Sequence, residues 1–150
     1  MAEAGPARGD DPRAPVVFFD GACPLCNRSV AFLAAKDRAG RLRLAHLQGR
    51  FAQETLDPEL RDVGLDGSVV VLEPAAGGGA GRVSLRSAAV LRALAHATDR
   101  PWLARLAERP MVVRLLDPLY RFVTRRRDRW FGREPACVMP DPELRARFLD

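Results

Sequence analysis

The sequence predicts an α/β domain on a mixed sheet, and three observations carry that expectation. Short apolar runs occur at Val16–Phe19 and Val69–Leu72, stretches of helical period separate them, and Gly- or Pro-containing turns close each one. Val16-Val17-Phe18-Phe19 reads as a buried strand ended by the Asp20-Gly21 turn. Beyond the turn the period changes to that of a helix: Cys26, Val30, Leu33 and Ala34 share a face, Pro24 suits the first helical position, and the pattern stops between Asp37 and Gly40. Arg41 to Leu47 alternates, with Leu42, Leu44 and His46 opposite in parity to Arg41, Arg43 and Ala45, which predicts a half-buried strand.

Phe51 to Leu60 is a weaker helix interrupted by Pro58. Ser68 to Glu73 predicts another buried strand, Pro74 to Gly81 a glycine-rich turn, and Arg82 to Leu85 the partner strand of a hairpin. Ser87 is placed to cap a helix from Ala88 to about Ala97, with Leu91, Leu94 and Ala95 as its apolar stripe. The order β-α-β-α-β-β-α, a parallel pair joined by a crossover helix and followed by an antiparallel hairpin and a closing helix, is the thioredoxin-like topology. Trp102 to Glu108 and Met111 to about Arg127 add C-terminal helices, and Val112, Leu115, Leu116, Leu119, Phe122 and Val123 form the stripe expected to pack the second of them on the core. Pro142 to Leu149, capped by Asp141, is expected as a final short helix.

Composition narrows the functional classes. The chain of 150 residues carries 24 Lys+Arg against 19 Asp+Glu, a formal charge of +5, and 47% hydrophobic residues, ordinary for a packed domain. All but Lys36 of the basic residues are Arg, a bias spread along the chain that does not by itself demand nucleic acid. Residues 1–15 read as a disordered leader without the apolar core of a signal peptide, and residues 16–150 as one domain. No apolar stretch is long enough for a membrane span. The expected compartment is therefore the cytoplasm, where thiols are kept reduced.

In that setting Cys23-Pro24-Leu25-Cys26 carries the chemistry. Cysteines at i and i+3 on the first turn of a helix lie on one face, close enough to form a disulfide. A Cys at the helix start meets unpaired N–H groups and the positive end of the helix dipole, which favour the thiolate that attacks disulfides. Cys23 is thus expected to be exposed and nucleophilic, and Cys26, one turn inward, to resolve the mixed disulfide. Zinc is the weaker reading: His46, His96 and Cys137 could add ligands, but no second close pair follows within the usual spacing. Each His reads more simply as a core-edge or surface residue, His96 as a solvated one.

Val17-Phe18-Phe19-Asp20-Gly21-Ala22-Cys23-Pro24-Leu25-Cys26-Asn27 resembles the signature of the DCC family of thiol-disulfide oxidoreductases. Ala45-His46-Leu47-Gln48, the strand at Ser68 to Leu72, the helix start at Ser87, Tyr120 and Arg129-Trp130-Phe131-Gly132 are similar to later landmarks of that family, so the resemblance spans about Val16 to Leu149. It implies catalytic Cys23 and Cys26, no cofactor, a disulfide-bearing protein or small-thiol substrate, and an electron donor the sequence does not name. Asp20, Pro24, Arg28 and Ser68 are supporting candidates. Asp20 could take a proton near the pair, although an Asx turn is the plainer reading. Arg28, within a turn of both sulfurs, could stabilise a thiolate. Ser68 ends the stretch Leu65-Asp66-Gly67-Ser68, where the wider fold group places a cis-proline that this chain lacks. The rivals are a redox sensor or metal-binding pair and a non-catalytic interaction module. The run Arg125 to Arg129 with Trp130 and Phe131 is expected not to bind nucleic acid specifically, but to end a helix with cations while the aromatics anchor the tail.

Overall fold

A computed structural model describes residues 13–38, 40–65, 69–75, 81–132 and 149. The chain runs β1 (Val16–Phe19), α1 (Pro24–Lys36), β2 (Arg43–His46), α2 (Arg50–Thr55), α3 (Pro58–Leu65), β3 (Val70–Glu73), β4 (Arg82–Leu85), α4 (Arg86–Thr98), α5 (Pro101–Ala107) and α6 (Pro110–Phe131). The sheet order is β2-β1-β3-β4. β1 pairs parallel with β2, Val17 beside Leu44, while β1 with β3 and β3 with β4 are antiparallel. This is the expected topology with added C-terminal helices. The weak helix divides at Pro58, which opens α3 instead of interrupting one helix.

Both faces of the central strand are covered, so its side chains alternate between two cores. Val17 and Phe19 join Val30 and Leu33 of α1, Leu42, Leu44, Val71 and Ala89, Ala93 and Ala97 of α4. Val16 and Phe18 join Ala45, Leu47, Val70 and the α2 side, where the Phe18 ring stacks on Phe51 with centroids 5.9 Å apart. For the same reason β2 is not half-buried. Arg43 and Ala45, read as its solvent face, are buried, and Arg43 reaches Ala14 O at 3.4 Å. The outer edge of β2 is paired where Leu149 N donates to Leu44 O.

α4 meets the sheet through Ala89, Ala93 and Ala97, one turn apart, with Leu91 and Leu94 only half-buried. Small residues on the contact face let helix and sheet approach closely. Ser87 is not its cap. Arg86 begins the helix with a positive φ, and the Ser87 hydroxyl and amide N–H both donate to the Asp117 carboxylate of α6. The acid of one helix therefore neutralises the positive end of another. His96 is half-buried and bonds Glu73 Oε2 at 2.9 Å, so it is not simply solvated.

α6 turns Val112, Leu116, Tyr120 and Val123 inward. Leu115, Leu119 and Phe122 face outward, with Leu115 74% exposed, so half of the predicted stripe takes no part in packing on the core. Trp130 is also exposed and meets Phe122 edge-on instead of anchoring a tail on the core. The final helix expected at 142–149 lies outside the described residues apart from Leu149, which packs against the Phe18 core.

Candidate active site

β1 ends where a tight turn delivers the pair to the head of α1. Cys23 N donates to Asp20 O at 3.2 Å and closes the turn, and Ala22 N donates to Asp20 Oδ1 at 3.0 Å. The Asx-turn reading of Asp20 is therefore correct, but the side chain does more. It is fully buried, and Gln48 Nε2 donates to Oδ1 at 2.6 Å while Arg127 Nη2 donates to Oδ2 at 3.2 Å. Gln48 also accepts from Gly21 N at 3.2 Å, and Asn27 Nδ2 donates to Gly21 O at 3.1 Å. The backbone before the cysteines is clamped from the segment just beyond β2 and from α1.

Cys23 is the N-cap of α1, and its Sγ accepts from Cys26 N at 3.4 Å. Pro24 occupies the first turn, where its missing N–H costs no hydrogen bond. One amide N–H and the positive end of a 13-residue helix face the Cys23 sulfur, an arrangement that favours negative charge there. Its accessibility is the reverse of the expectation: Cys23 is fully buried and Cys26 half-buried. The turn folds the Cys23 side chain back under the helix end, where it caps, while Cys26 packs at the margin of the Phe19 core. Cys26 is held as a thiol, pushed up to about 12 by burial first, then by the Cys23 charge and by a hydrogen bond to Cys23, with Arg127 opposing. The two sulfurs are thus unequally placed, Cys23 Sγ capping the helix end and Cys26 keeping its proton.

Among the nominated supporting residues, Asp20 and Pro24 are at the site. Arg28 is exposed on α1 and bonds neither sulfur. Ser68 and Cys137 lie outside the described residues, as do residues 76–80. Next to Ser68, Val69 N donates at 2.8 Å to the hydroxyl of Tyr120, a phenol that burial pushes up to about 12. His46 sits beneath the turn with its ring edge-on to Phe19 at 5.0 Å. His96 lies with Glu73 at the opposite end of the sheet, since β3 runs antiparallel to β1. Among the described residues no three His, Cys, Asp or Glu side chains cluster as metal ligands would.

Arg127 is the residue that sequence reading missed. Read as one of the cations that end a helix, it is buried, and its Nη1 lies 3.6 Å from Cys26 Sγ. A signal was present: Leu116, Tyr120, Val123 and Arg127 follow one another at helical spacing, so the arginine continues the inward stripe. A charge on a packed face needs a partner, and the structure supplies Asp20.

A family profile described as DCC1-like thiol-disulfide oxidoreductase matches residues 17–133. The chain belongs to that family. It is 29% identical over 134 residues to the protein YuxK of Bacillus subtilis (strain 168), covering 89% of this chain and 93% of that one. It is 32% identical over 133 residues to a chloroplastic DCC family protein of Arabidopsis thaliana, covering 87% of this chain and 72% of the relative. No solved structure gives a significant match.

Proposed function

We propose that the protein reduces or exchanges disulfides through Cys23 and Cys26. The observation that carries this reading is the capped pair: Cys23 Sγ receives the Cys26 amide at the head of α1, with Cys26 held as a thiol one turn away. The Cys23 thiolate attacks a substrate disulfide, forming a Cys23–substrate bond and releasing one substrate sulfur as thiolate, which takes up a proton. Cys26 then loses its proton and attacks Cys23 Sγ, closing the Cys23–Cys26 disulfide and releasing the second substrate sulfur. The substrate gains two electrons and the pair loses two, so a thiol or dithiol donor must return them for turnover. Burial of Cys23 favours small-molecule disulfides, or a substrate that opens the turn, over passive docking of a folded partner.

A cytoplasmic setting suits a pair that must be kept reduced. Specific nucleic-acid binding has little to draw on: Arg127 is engaged inside, and Arg126 lies over the Phe122 ring at 4.5 Å. Burial of Cys23 also gives weight to a second reading, a redox sensor reached only by small oxidants. The test is equilibration in glutathione buffers, with the pair read by alkylation and mass, together with turnover on a disulfide probe. A reversible two-electron transition with turnover, and covalent trapping through Cys23 in Cys26→Ser, supports the oxidoreductase. The transition without turnover favours the sensor. Absence of both, or loss of turnover in a folded Cys137→Ser variant, overturns the assignment of roles.

A further inference from the structure

The C-terminal helix contributes a side chain to the redox pair from a distance of 101 residues in sequence. Arg127 is 4% exposed and forked between two atoms, Nη1 toward Cys26 Sγ at 3.6 Å and Nη2 toward Asp20 Oδ2 at 3.2 Å. Nothing in a structural account of α6 needs the first of these contacts. The helix is already fastened by Tyr120 to Val69, by Asp117 to Ser87 and by its inward apolar residues. We propose that Arg127 is a catalytic residue of the resolving step, its guanidinium holding the Cys26 sulfur as thiolate once Cys23 is bound in a mixed disulfide. The inference rests on the oxidoreductase reading and adds a residue to it.

The groups facing Cys26 are Cys23 and Asp20 from its own turn and Arg127 and Tyr120 from α6. In the dithiol, negative charge on Cys23 and the hydrogen bond to it both keep the Cys26 proton in place. Formation of the mixed disulfide turns Cys23 Sγ into a neutral sulfur, and both influences vanish. What remains is burial and the Asp20 carboxylate on one side and the Arg127 cation on the other. The arginine then decides whether Cys26 gives up its proton. Its fork also keeps Asp20 compensated, so the acid's charge is drawn away from the sulfur that must become anionic. The cation is outweighed while Cys23 carries the charge and prevails when that charge disappears.

In the resolving step the Cys26 Sγ–Cys23 Sγ bond forms, the Cys23 Sγ–substrate bond breaks, and the Cys26 proton ends on the departing substrate thiolate by way of solvent. No outside electron source enters this half-reaction, so a single turnover of reduced protein isolates it. Reduced wild type and variants are mixed with oxidised glutathione, quenched in acid, and followed by intact mass. Wild type is expected to pass to the Cys23–Cys26 disulfide with little glutathionylated protein. Arg127→Gln is expected to accumulate the Cys23–glutathione species, to resolve it about tenfold more slowly at neutral pH, the thiolate loss that one pKa unit makes, and to catch up as pH rises. Arg127→Lys keeps the cation and is expected to recover part of the rate. Because Arg127→Gln strips Asp20 of the cation paired with it, the comparison is repeated in Asp20→Asn: adding Arg127→Gln to that background must slow resolution again. Equal resolution rates and equal pH midpoints with and without the arginine, in either background, overturn the proposal. If wild type forms neither the mixed nor the internal disulfide, it is the oxidoreductase reading that fails.

Discussion

Two buried side chains, Cys26 of α1 and Tyr120 of α6, give stability predictions of their own. Cys26 keeps its proton up to about 12 in the folded protein against 9.0 for an ordinary thiol, and Tyr120 does so against 10.0. Between those values the unfolded chain has released protons that the folded chain still holds. Stability of the reduced protein should therefore fall as pH climbs from about 9 toward 12, and be insensitive to these two groups below that window. Denaturation midpoints measured against pH check this. Cys26→Ala and Tyr120→Phe should each flatten the alkaline slope, whatever they do to stability at neutral pH. Gly21 makes a different point. A Cβ there would stand 2.9 Å from Cδ2 of His46, whose ring is held against Phe19. Gly21→Ala should cost about 1–3 kcal/mol in urea unfolding through overpacking, and His46→Ala should lessen that cost when the two are combined.

Among the elements, α6 has one working face and one free face. Leu116 is turned inward and Leu119 is 61% exposed, although both occupy the same apolar stripe in sequence. Leu116→Ala should lower stability by about 1–2 kcal/mol and do so cooperatively with the core, whereas Leu119→Ala should stay within about 0.5 kcal/mol. Equal losses in chemical denaturation would contradict the orientation described. Periodicity alone could not separate these residues, because a stripe as wide as Val112 to Val123 fits two rotations of the helix. β1, α1, β3 and β4 were legible because each is bounded by a turn residue and has a single period. β2 was misjudged as half-solvated because burial on both faces depends on layers drawn from elsewhere in the chain. The site was legible for its local part, the cysteines, Asp20 and Pro24. Arg127 and Gln48 come from α6 and from just beyond β2; helical spacing puts Arg127 on an inward face, but no local pattern says which residues either one meets.

At the scale of the whole molecule, the Asp20–Arg127 pair joins the first strand's end to the last described helix, 107 residues later. Both partners are nearly without solvent, 1% and 4% exposed, so removing one leaves the other buried without its opposite charge. Arg127→Met should cost about 3–5 kcal/mol, a drop in melting temperature of about 10 °C or more. Asp20→Asn combined with it should recover a large share, because neither charge then needs compensation. A double variant no better than the single one would mean that the arginine stabilises by packing and not by charge.

The same separation sets a timetable. A ribosome releases the CPLC turn about 100 residues ahead of Arg127, and at roughly 5–20 residues per second that interval is on the order of 5–20 s. During it the nascent chain carries two cysteines and an acid without the cation that belongs to them. The pair is thus assembled in two instalments, its sulfurs early and its guanidinium late. A newborn chain meeting an oxidant in that window would do so with thiols whose reactivity differs from that of the finished protein.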